Sequence, residues 1–304
     1  MPGTSEAPRR KRSESTKAAK ATKARKTARR DKSGMKRTGV RLASLADRHD
    51  LYQKSVQSPE HEAWFFNRIY RANYKRSPVL LREDFCGTAL VCCEWVKNKK
   101  DRRAYGVDID PPTLDWGREH NVSKLSEKAR ERVKLVVDDA RKVSGPKADI
   151  IAAQNFSFQF FKTRDELRKY FRAAYKNLAK DGVLILDMLG GPEVIEEDHQ
   201  EIKKFKGYEY IWDQKSFDPI THRAMFAIHF RFPDGSEIKN AFQYDWRLWT
   251  IPEVRELLGE AGFRRADVYW EDTDSETGEG NDTYRRRESA QSDPAWVCYV
   301  VGVK

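Results

Sequence analysis

Five short apolar runs in the middle of the chain each end in groups able to hold a polar ligand. Val79–Leu81 leads into Arg82-Glu83-Asp84, Ala104–Val107 into Asp108-Ile109-Asp110, and Val133–Val137 into Asp138-Asp139-Ala140. Ile150–Ala153 leads into Gln154-Asn155-Phe156-Ser157, and the run from Val183 ends in Asp187, followed by Met188-Leu189-Gly190-Gly191. One carboxylate after a strand is ordinary loop chemistry. Polar ends on five successive strands are what a shared polar ligand at one sheet edge requires. After the first run the chain turns through Phe85-Cys86-Gly87-Thr88-Ala89 into a helical pattern containing Leu90, Val91, Trp95 and Val96. Strand, tight turn and helix present the free N–H groups of a helix N-terminus to an anionic or polar ligand. Asp108 follows about twenty residues later, where a ribose-binding carboxylate belongs in a nucleotide fold.

The elements that must position these groups alternate. Helical patterns at Ala89–Val96, Thr113–Asn121 and Asp165–Ala179 separate the apolar runs, and the last places Leu167, Tyr170, Phe171, Ala174 and Leu178 on one face. Thr163 and Glu166 predict a capping box ahead of that helix, with Asp181-Gly182 as its stop. Repeated β–α units predict an α/β fold, a mostly parallel, Rossmann-like sheet of seven strands with helices on both faces. Its ligand belongs outside the carboxyl ends of the strands, near the switch in strand order. Upstream, Ser44–Tyr74 reads as helical pieces broken at Ser58-Pro59, whose aromatic stripe predicts core packing, with a lid over the site as the other possibility.

Residues 79–188 resemble the core of the class I S-adenosylmethionine-dependent methyltransferases. Phe85-Cys86-Gly87-Thr88-Ala89 resembles their glycine-rich first loop, with Glu83 at the usual acidic position; Arg82 to Ala89 is also similar to a bacterial subgroup of these enzymes. Gly106-Val107-Asp108-Ile109-Asp110 resembles the second motif, whose acid binds the ribose hydroxyls and here is Asp108. Asp139-Ala140 resembles the pair that contacts adenine, and Leu178 to Asp187 the helix–turn–strand signature before the fifth strand. The resemblance implies S-adenosylmethionine as cofactor, bound by Glu83, Phe85, Cys86, Gly87, Ala89, Asp108, Ile109, Asp139, Ala140 and Asn155. Phe85 and Ala89 stand where the family usually has glycine, and Phe85 is expected to leave less room for close backbone approach. No G-x-G-x-x-G follows the first strand, so dinucleotide oxidoreductases match less well.

After Gly191 the alternation gives way to strand-like runs at Tyr208–Trp212, Ala224–Phe232 and Glu237–Trp246, the last two joined by a turn at Phe232-Pro233-Asp234-Gly235-Ser236. Residues 203–248 are therefore expected to form an antiparallel β insertion over the site. A second capping box at Thr250 and Glu253 opens another helix, and strands Ala266–Trp270 and Trp296–Val303 close the sheet as an antiparallel hairpin around an acidic loop from Glu271 to Asp293. Methyl transfer is an in-line displacement that depends on positioning and needs no metal or covalent triad, and the sequence offers neither. Asn155 is the candidate nearest the methyl group, in a run that resembles the Asn-Pro-Pro-Tyr motif of amino-group methyltransferases without its prolines. Tyr244, Asp245, Trp246, Arg247 and Trp249 could wall an acceptor pocket, against the alternative that they pack the insertion. His222 and His229 have no evident ligand partner and read as structural or surface residues.

The chain has a net charge of +11, but its distribution is uneven. Residues 1–41 hold fifteen Lys and Arg against Glu6, Glu14 and Asp31, leaving 43 basic and 44 acidic residues in the remainder. Such a tail cannot bury enough apolar surface to offset its ordering entropy. Residues 1–42 are thus expected to be a disordered basic tail, able to attach to nucleic acid or merely solvated, and 43–304 the methyltransferase domain. Cys86, Cys92, Cys93 and Cys298 lack disulfide or zinc spacing, no apolar run reaches membrane-span length, and no signal-peptide core appears, which together predict a cytoplasmic protein. The expected activity is methyl transfer to an unidentified acceptor. The alternatives are a nucleic-acid-binding protein with a degenerate methyltransferase-like domain, and aminopropyl transfer on the same fold.

Overall fold

Alternation of apolar side chains decides the layering of the central sheet. On one face Leu81, Ile150, Ala152, Val183 and Ile185 pack with Phe65, Phe66, Trp95 and Leu114; on the other Ile151, Ala153, Leu184 and Leu186 pack with Leu167, Phe171, Leu257 and Leu258. Strands buried on both faces read as continuous apolar runs because every side chain enters a core. The computed structural model describes residues 39–274 and 280–304, and Val40–Lys304 form one compact unit. The expectations for residues 1–38, including most of the basic tail, lie outside the described residues.

In chain order the helices are α1 (Leu42–Leu45), α2 (Arg48–Val56), α3 (Pro59–Tyr74), α4 (Leu90–Asn98), α5 (Pro111–His120), α6 (Glu127–Arg130), α7 (Arg164–Asn177) and α8 (Ile251–Ala261). The strands are β1 (Leu80–Asp84), β2 (Arg103–Asp108), β3 (Val133–Val137), β4 (Ala148–Ala153), β5 (Leu178–Gly190), β6 (His199–Phe205), β7 (Tyr208–Asp218), β8 (Arg223–Arg231), β9 (Glu237–Arg247), β10 (Arg265–Thr273), β11 (Gly280–Arg287) and β12 (Trp296–Val303). The main sheet has the order β11-β10-β12-β5-β4-β1-β2-β3. β3, β2, β1, β4 and β5 are parallel, and β12, β10 and β11 close the sheet antiparallel. The order switches between β1 and β4, and the crevice there is where an open α/β sheet binds its ligand.

The fold is the Rossmann-like one the sequence predicts, with two corrections. The main sheet has eight strands rather than seven, because β11 forms within the stretch read as an acidic loop. Its pattern is masked by charge: only Tyr284 is buried, while Arg285 and Arg287 pair with Asp272 and Arg286 with Asp267. The second correction concerns Asp181-Gly182, which lie inside β5 rather than ending α7. The helix stops at Asn177 because Leu178 is already extended and paired with Ala148 of β4. Both capping boxes form, Thr163 with Glu166 and Thr250 with Glu253.

The insertion is a four-stranded antiparallel meander, β6-β7-β8-β9, beginning at His199 rather than residue 203. Its inner face buries Tyr210, Phe226, Ile228, Phe230 and Trp246, whereas its outer face is polar, with His229 paired to Asp213 and Lys215 bonded to Asn240. One packed and one polar face is the usual economy of an antiparallel sheet. α2 straps the two sheets together. Leu51 joins the insertion's apolar cluster and Tyr52 meets Phe242 at 4.8 Å, while Gln53 Nε2 donates to Thr88 Oγ1 at 2.5 Å in the first loop.

Candidate active site

The loop after β1 is built from alternating left-handed residues: Phe85, Gly87 and Ala89 have φ of 60°, 51° and 57°. Only glycine adopts this conformation freely, so the loop is held in place by its surroundings. Cys86 N–H donates to Val107 O at 3.0 Å, and Gly87 N–H to Asp108 Oδ2 at 2.7 Å. The Phe85 ring turns into the core, edge-on to Tyr170 at 5.6 Å and Phe161 at 6.0 Å. The half-buried ring thus packs against the apolar core on that side of the sheet. From the other side, a Cβ on Gly117 of α5 would lie 2.5 Å from the carbonyl oxygen of Thr88, which also accepts from Asn121 Nδ2 at 2.8 Å. Gly117→Ala is thus expected to displace the loop, costing roughly 1–3 kcal/mol as an overpacking substitution. Thermal unfolding and cofactor calorimetry on the same variant check this; if neither moves, α5 does not fix the loop.

Asp108 stands at the end of β2 with each oxygen already oriented, Oδ2 by Gly87 N–H and Oδ1 by Asp110 N–H at 3.0 Å. Each oxygen keeps a lone pair for a hydroxyl donor. Next to it Ile109 is 70% exposed, an apolar surface at the mouth of the crevice. Asp139 is gripped by Arg141, with Nη2–Oδ2 at 2.7 Å, which holds its carboxyl below the usual range, and Ala140 is buried beside it. Within the first loop itself, Cys86 and Ala89 are also buried.

Asn155 and Phe156, at the end of β4, are both left-handed, with φ of 55° and 57°. Their N–H groups converge on Asp187 of β5, at 2.7 Å to Oδ2 and 2.9 Å to Oδ1. Successive amides that point the same way make an anion-binding concavity, and here β5 supplies the anion. The backbone of Asn155, rather than its side chain, makes the contact.

Asp187 belongs to a set of buried acids, with Glu83 and Glu62, whose meeting is not visible in the sequence. Burial pushes it up to about 7 despite the two amide bonds. Glu62 on α3 is pushed up to about 7 by burial and by the charge of Asp187, and Glu83 up to about 8 by burial, with Glu62 and Asp108 adding to the effect. Glu83 Oε2 accepts Cys92 N–H at 3.1 Å, while Glu62 Oε2, Gln154 Nε2 and His61 Nε2 are buried with no hydrogen-bond partner among the described residues. None of the three acids has a basic partner among those residues. Uncompensated carboxylates in a low-dielectric site are costly, and a cationic ligand relieves the cost. Tyr52, Tyr244 and Tyr299 complete this region, since Tyr52 interacts with Tyr244 and both Tyr52 and Tyr299 feel the charges of Glu62 and Asp187. Asp187 was visible as the polar end of the fifth run. Glu62 carries no local mark, because only tertiary packing turns that face of α3 toward the strand ends.

The other candidates divide by the pleat of β9. Tyr244 and Trp246 point inward. Trp246 is 2% exposed and is ringed by Tyr244, Phe226, Trp212 and Phe156, with centroids 4.6–6.0 Å away. It packs the insertion rather than lining a pocket, and its nearest link to the site is through Phe156. Asp245 and Arg247 point to the opposite face. Asp245 pairs with Lys162 and Arg223, and Arg247 with Glu253, with its guanidinium 3.8 Å above the Trp249 ring. Their placement in an acceptor pocket beside Trp246 is therefore corrected: alternation within a strand cannot bring four successive side chains to one wall. Trp249 is buried, its indole bonded to Phe161 O at 3.0 Å. His222 Nδ1 meets Leu248 O at 2.8 Å, another contact within the scaffold.

All four cysteines are buried and unpaired, and among the described residues no group of three or more His, Cys, Asp or Glu is placed to hold a metal. No described helix is long and apolar enough to cross a membrane.

Residues 84–186 match the protein family described as a methyltransferase domain. Among solved structures, an S-adenosylmethionine-dependent methyltransferase from Clostridium acetobutylicum is similar, at 16% identity over 83% of this chain and 96% of that one, with a TM-score of 0.60. A SAM-bound amino pentose methyltransferase from Micromonospora echinaspora is similar at 16% identity over 86% and 98% of the two chains, TM-score 0.58. A sugar N-methyltransferase from Streptoalloteichus is similar at 18% identity over 88% and 96%, TM-score 0.57. No curated protein matches the chain by sequence.

Proposed function

We propose that this chain is an S-adenosylmethionine-dependent methyltransferase acting on a small amine held beneath α2, α3 and the inner face of the antiparallel sheet. The observation that supports it most is the pairing of a left-handed loop bonded to Asp108 with buried acids that have no basic partner among the described residues. These residues fit the cofactor: Asp108 retains lone pairs for two ribose hydroxyls, Ile109 offers an apolar face to the base, and Glu83 offers negative charge to the cationic amino-acid end. When bound, S-adenosylmethionine supplies a methyl group on a sulfonium, open to in-line displacement. The altered first loop does not argue for a degenerate domain, because the half-buried Phe85 ring packs edge-on against Tyr170 of the core.

The chain's own contribution is positioning and proton acceptance. Asn155 and Phe156 fix the Asp187 carboxylate, so Asp187 and Glu62 flank the space beyond β4 as a pair of acids poised near neutrality. An amine must lose its proton before its lone pair can attack, and a carboxylate with a pKa of about 7 can take that proton at working pH. The likeness to methyltransferases of an amino pentose and of sugar nitrogen agrees with an amine acceptor.

The test is calorimetric titration of the full chain with S-adenosylmethionine and S-adenosylhomocysteine, followed by transfer of labelled methyl to amino sugars beside their hydroxyl counterparts. Absence of cofactor binding overturns the reading, and transfer to the hydroxyl sugars alone overturns the amine. A pH dependence follows. In the free site the acids hold protons up to about pH 7–8, so binding a cation releases protons. Cofactor affinity should rise with pH through that window, approaching tenfold per pH unit for each proton released, and level off above it. Stability of the free protein has the opposite slope. The folded state keeps protons that the unfolded chain loses near pH 4–4.5, so stability falls as pH rises toward about 8. Affinity that is flat across the window removes these acids from the cation site.

A further inference from the structure

The outer face of α3, turned away from the candidate active site, has a composition that the methyl-transfer reading does not use. Trp64 is 54% exposed, and the Arg68 guanidinium lies over its ring, 5.3 Å from the centroid. Arg71 and Lys75 continue the same line of the helix, and with Asn67 and Ala72 these side chains line a depression of ≈ 500 Å³. The connection into β2 meets this face: Arg102 Nη2 donates to Asn67 Oδ1 at 2.8 Å, and Lys99 Nζ to Ser77 Oγ at 3.1 Å. That connection adds Lys99, Lys100 and Arg103, with Asp101 as its one acid. Arg102 itself is buried, but Arg68, Arg71, Lys75, Lys99, Lys100 and Arg103 are exposed and none of these six forms an ion pair among the described residues, whereas neighbouring Arg76 is paired with Asp149 and Asp181. Residues 42–304 are close to electrically balanced, so the patch is a local concentration of charge.

We propose that this face of the folded domain binds single-stranded nucleic acid, with a base stacked on Trp64 and phosphates held by Arg71, Lys75 and the Lys99–Lys100 connection. Charge alone would fit any polyanion. The exposed indole beside a guanidinium is what narrows the choice, since stacking platforms interleaved with cations are how unpaired bases are held without sequence readout. From Trp64 to Lys75 the helix advances roughly 16 Å, enough for several nucleotides. None of these residues belongs to the basic segment 1–41, and the proposal does not depend on the methyl-transfer reading.

The experiment is fluorescence anisotropy of a labelled oligouridylate with the full chain over a range of salt. Three variants are compared with the parent: Arg71→Glu with Lys75→Glu, Trp64→Ala, and the charge-keeping Arg71→Lys with Lys75→Arg. The charge reversal should weaken binding roughly tenfold or more and reduce the log–log salt slope by about 1.4, the share of two phosphate contacts to a single strand. Trp64→Ala should weaken binding roughly fivefold or more and leave the slope unchanged. The charge-keeping pair should bind as the parent. All of these side chains are exposed, so the thermal midpoint serves as the folding control. Parent-like binding by both the charge-reversed and Trp64 variants would assign nucleic-acid binding to residues 1–41 and overturn the proposal. Equal loss toward heparin with no effect of Trp64→Ala would mark a general polyanion site, and binding to anionic phospholipid vesicles but not to the oligonucleotide would mark a membrane surface; either result also overturns it.

Discussion

Trp246→Ala should cost about 3–5 kcal/mol of stability, the range for truncating a large buried aromatic. The indole is 2% exposed and its ring contacts are aromatic. It sits between Tyr244 at 4.6 Å and Phe226 at 5.3 Å, with Phe156 and Trp212 closing the ring of contacts. Removing it opens a cavity where β9 and β8 meet the end of β4, and the surrounding rings cannot collapse far without breaking strand register. Trp246→Phe should recover most of the loss, since the indole N–H has no partner among the described residues and its removal leaves nothing unsatisfied. Denaturant unfolding of the three proteins, with turnover expressed per folded molecule, separates packing from catalysis. Normal stability with lost turnover would return Trp246 to the pocket.

Asp108→Ala should weaken cofactor binding by about 1.5–3 kcal/mol, the worth of charge-assisted hydrogen bonds. Two effects combine. On the proposed reading the variant loses the acceptor for the ribose hydroxyls, and it leaves Gly87 N–H and Asp110 N–H without the carboxylate to which they donate. Asp108→Asn should fall between, because an amide keeps one acceptor oxygen but cannot accept at both positions. Calorimetry on the folded variants decides it. Unchanged affinity for S-adenosylhomocysteine in Asp108→Ala would exclude this carboxylate from the site, whatever its place in the loop.

Both expectations started from motifs legible in the chain. The two capping boxes are local features fixed by local hydrogen bonding, whereas the turn at Gly87 and the strand-ending Asp108 are marked by residue type in the sequence and brought together by the pairing of β1 with β2. β11 is not legible in the sequence for a physical reason: its arginines are satisfied by an acid of β10, Asp272, so the sheet tolerates a strand with the composition of a solvated loop. The run Tyr244–Arg247 does not form one wall, because strand pleating sends alternate side chains to opposite faces.

By itself the sequence determined the alternation of strands and helices in the parallel part of the sheet, the edge that gathers the polar groups, and the turn that follows the first strand. Those follow from periodicity, turn chemistry and the parallel-sheet rule, all of which act over a few residues or on consecutive elements. Only the tertiary structure decided that Glu62 of α3 joins Glu83 and Asp187, and that Asn155 and Phe156 offer backbone amides to a neighbouring strand. It also decided that α3 turns Trp64, Arg71 and Lys75 outward as a separate basic face. Burial and electrostatic coupling depend on which distant segments share a low-dielectric space, and no local pattern in the chain encodes that.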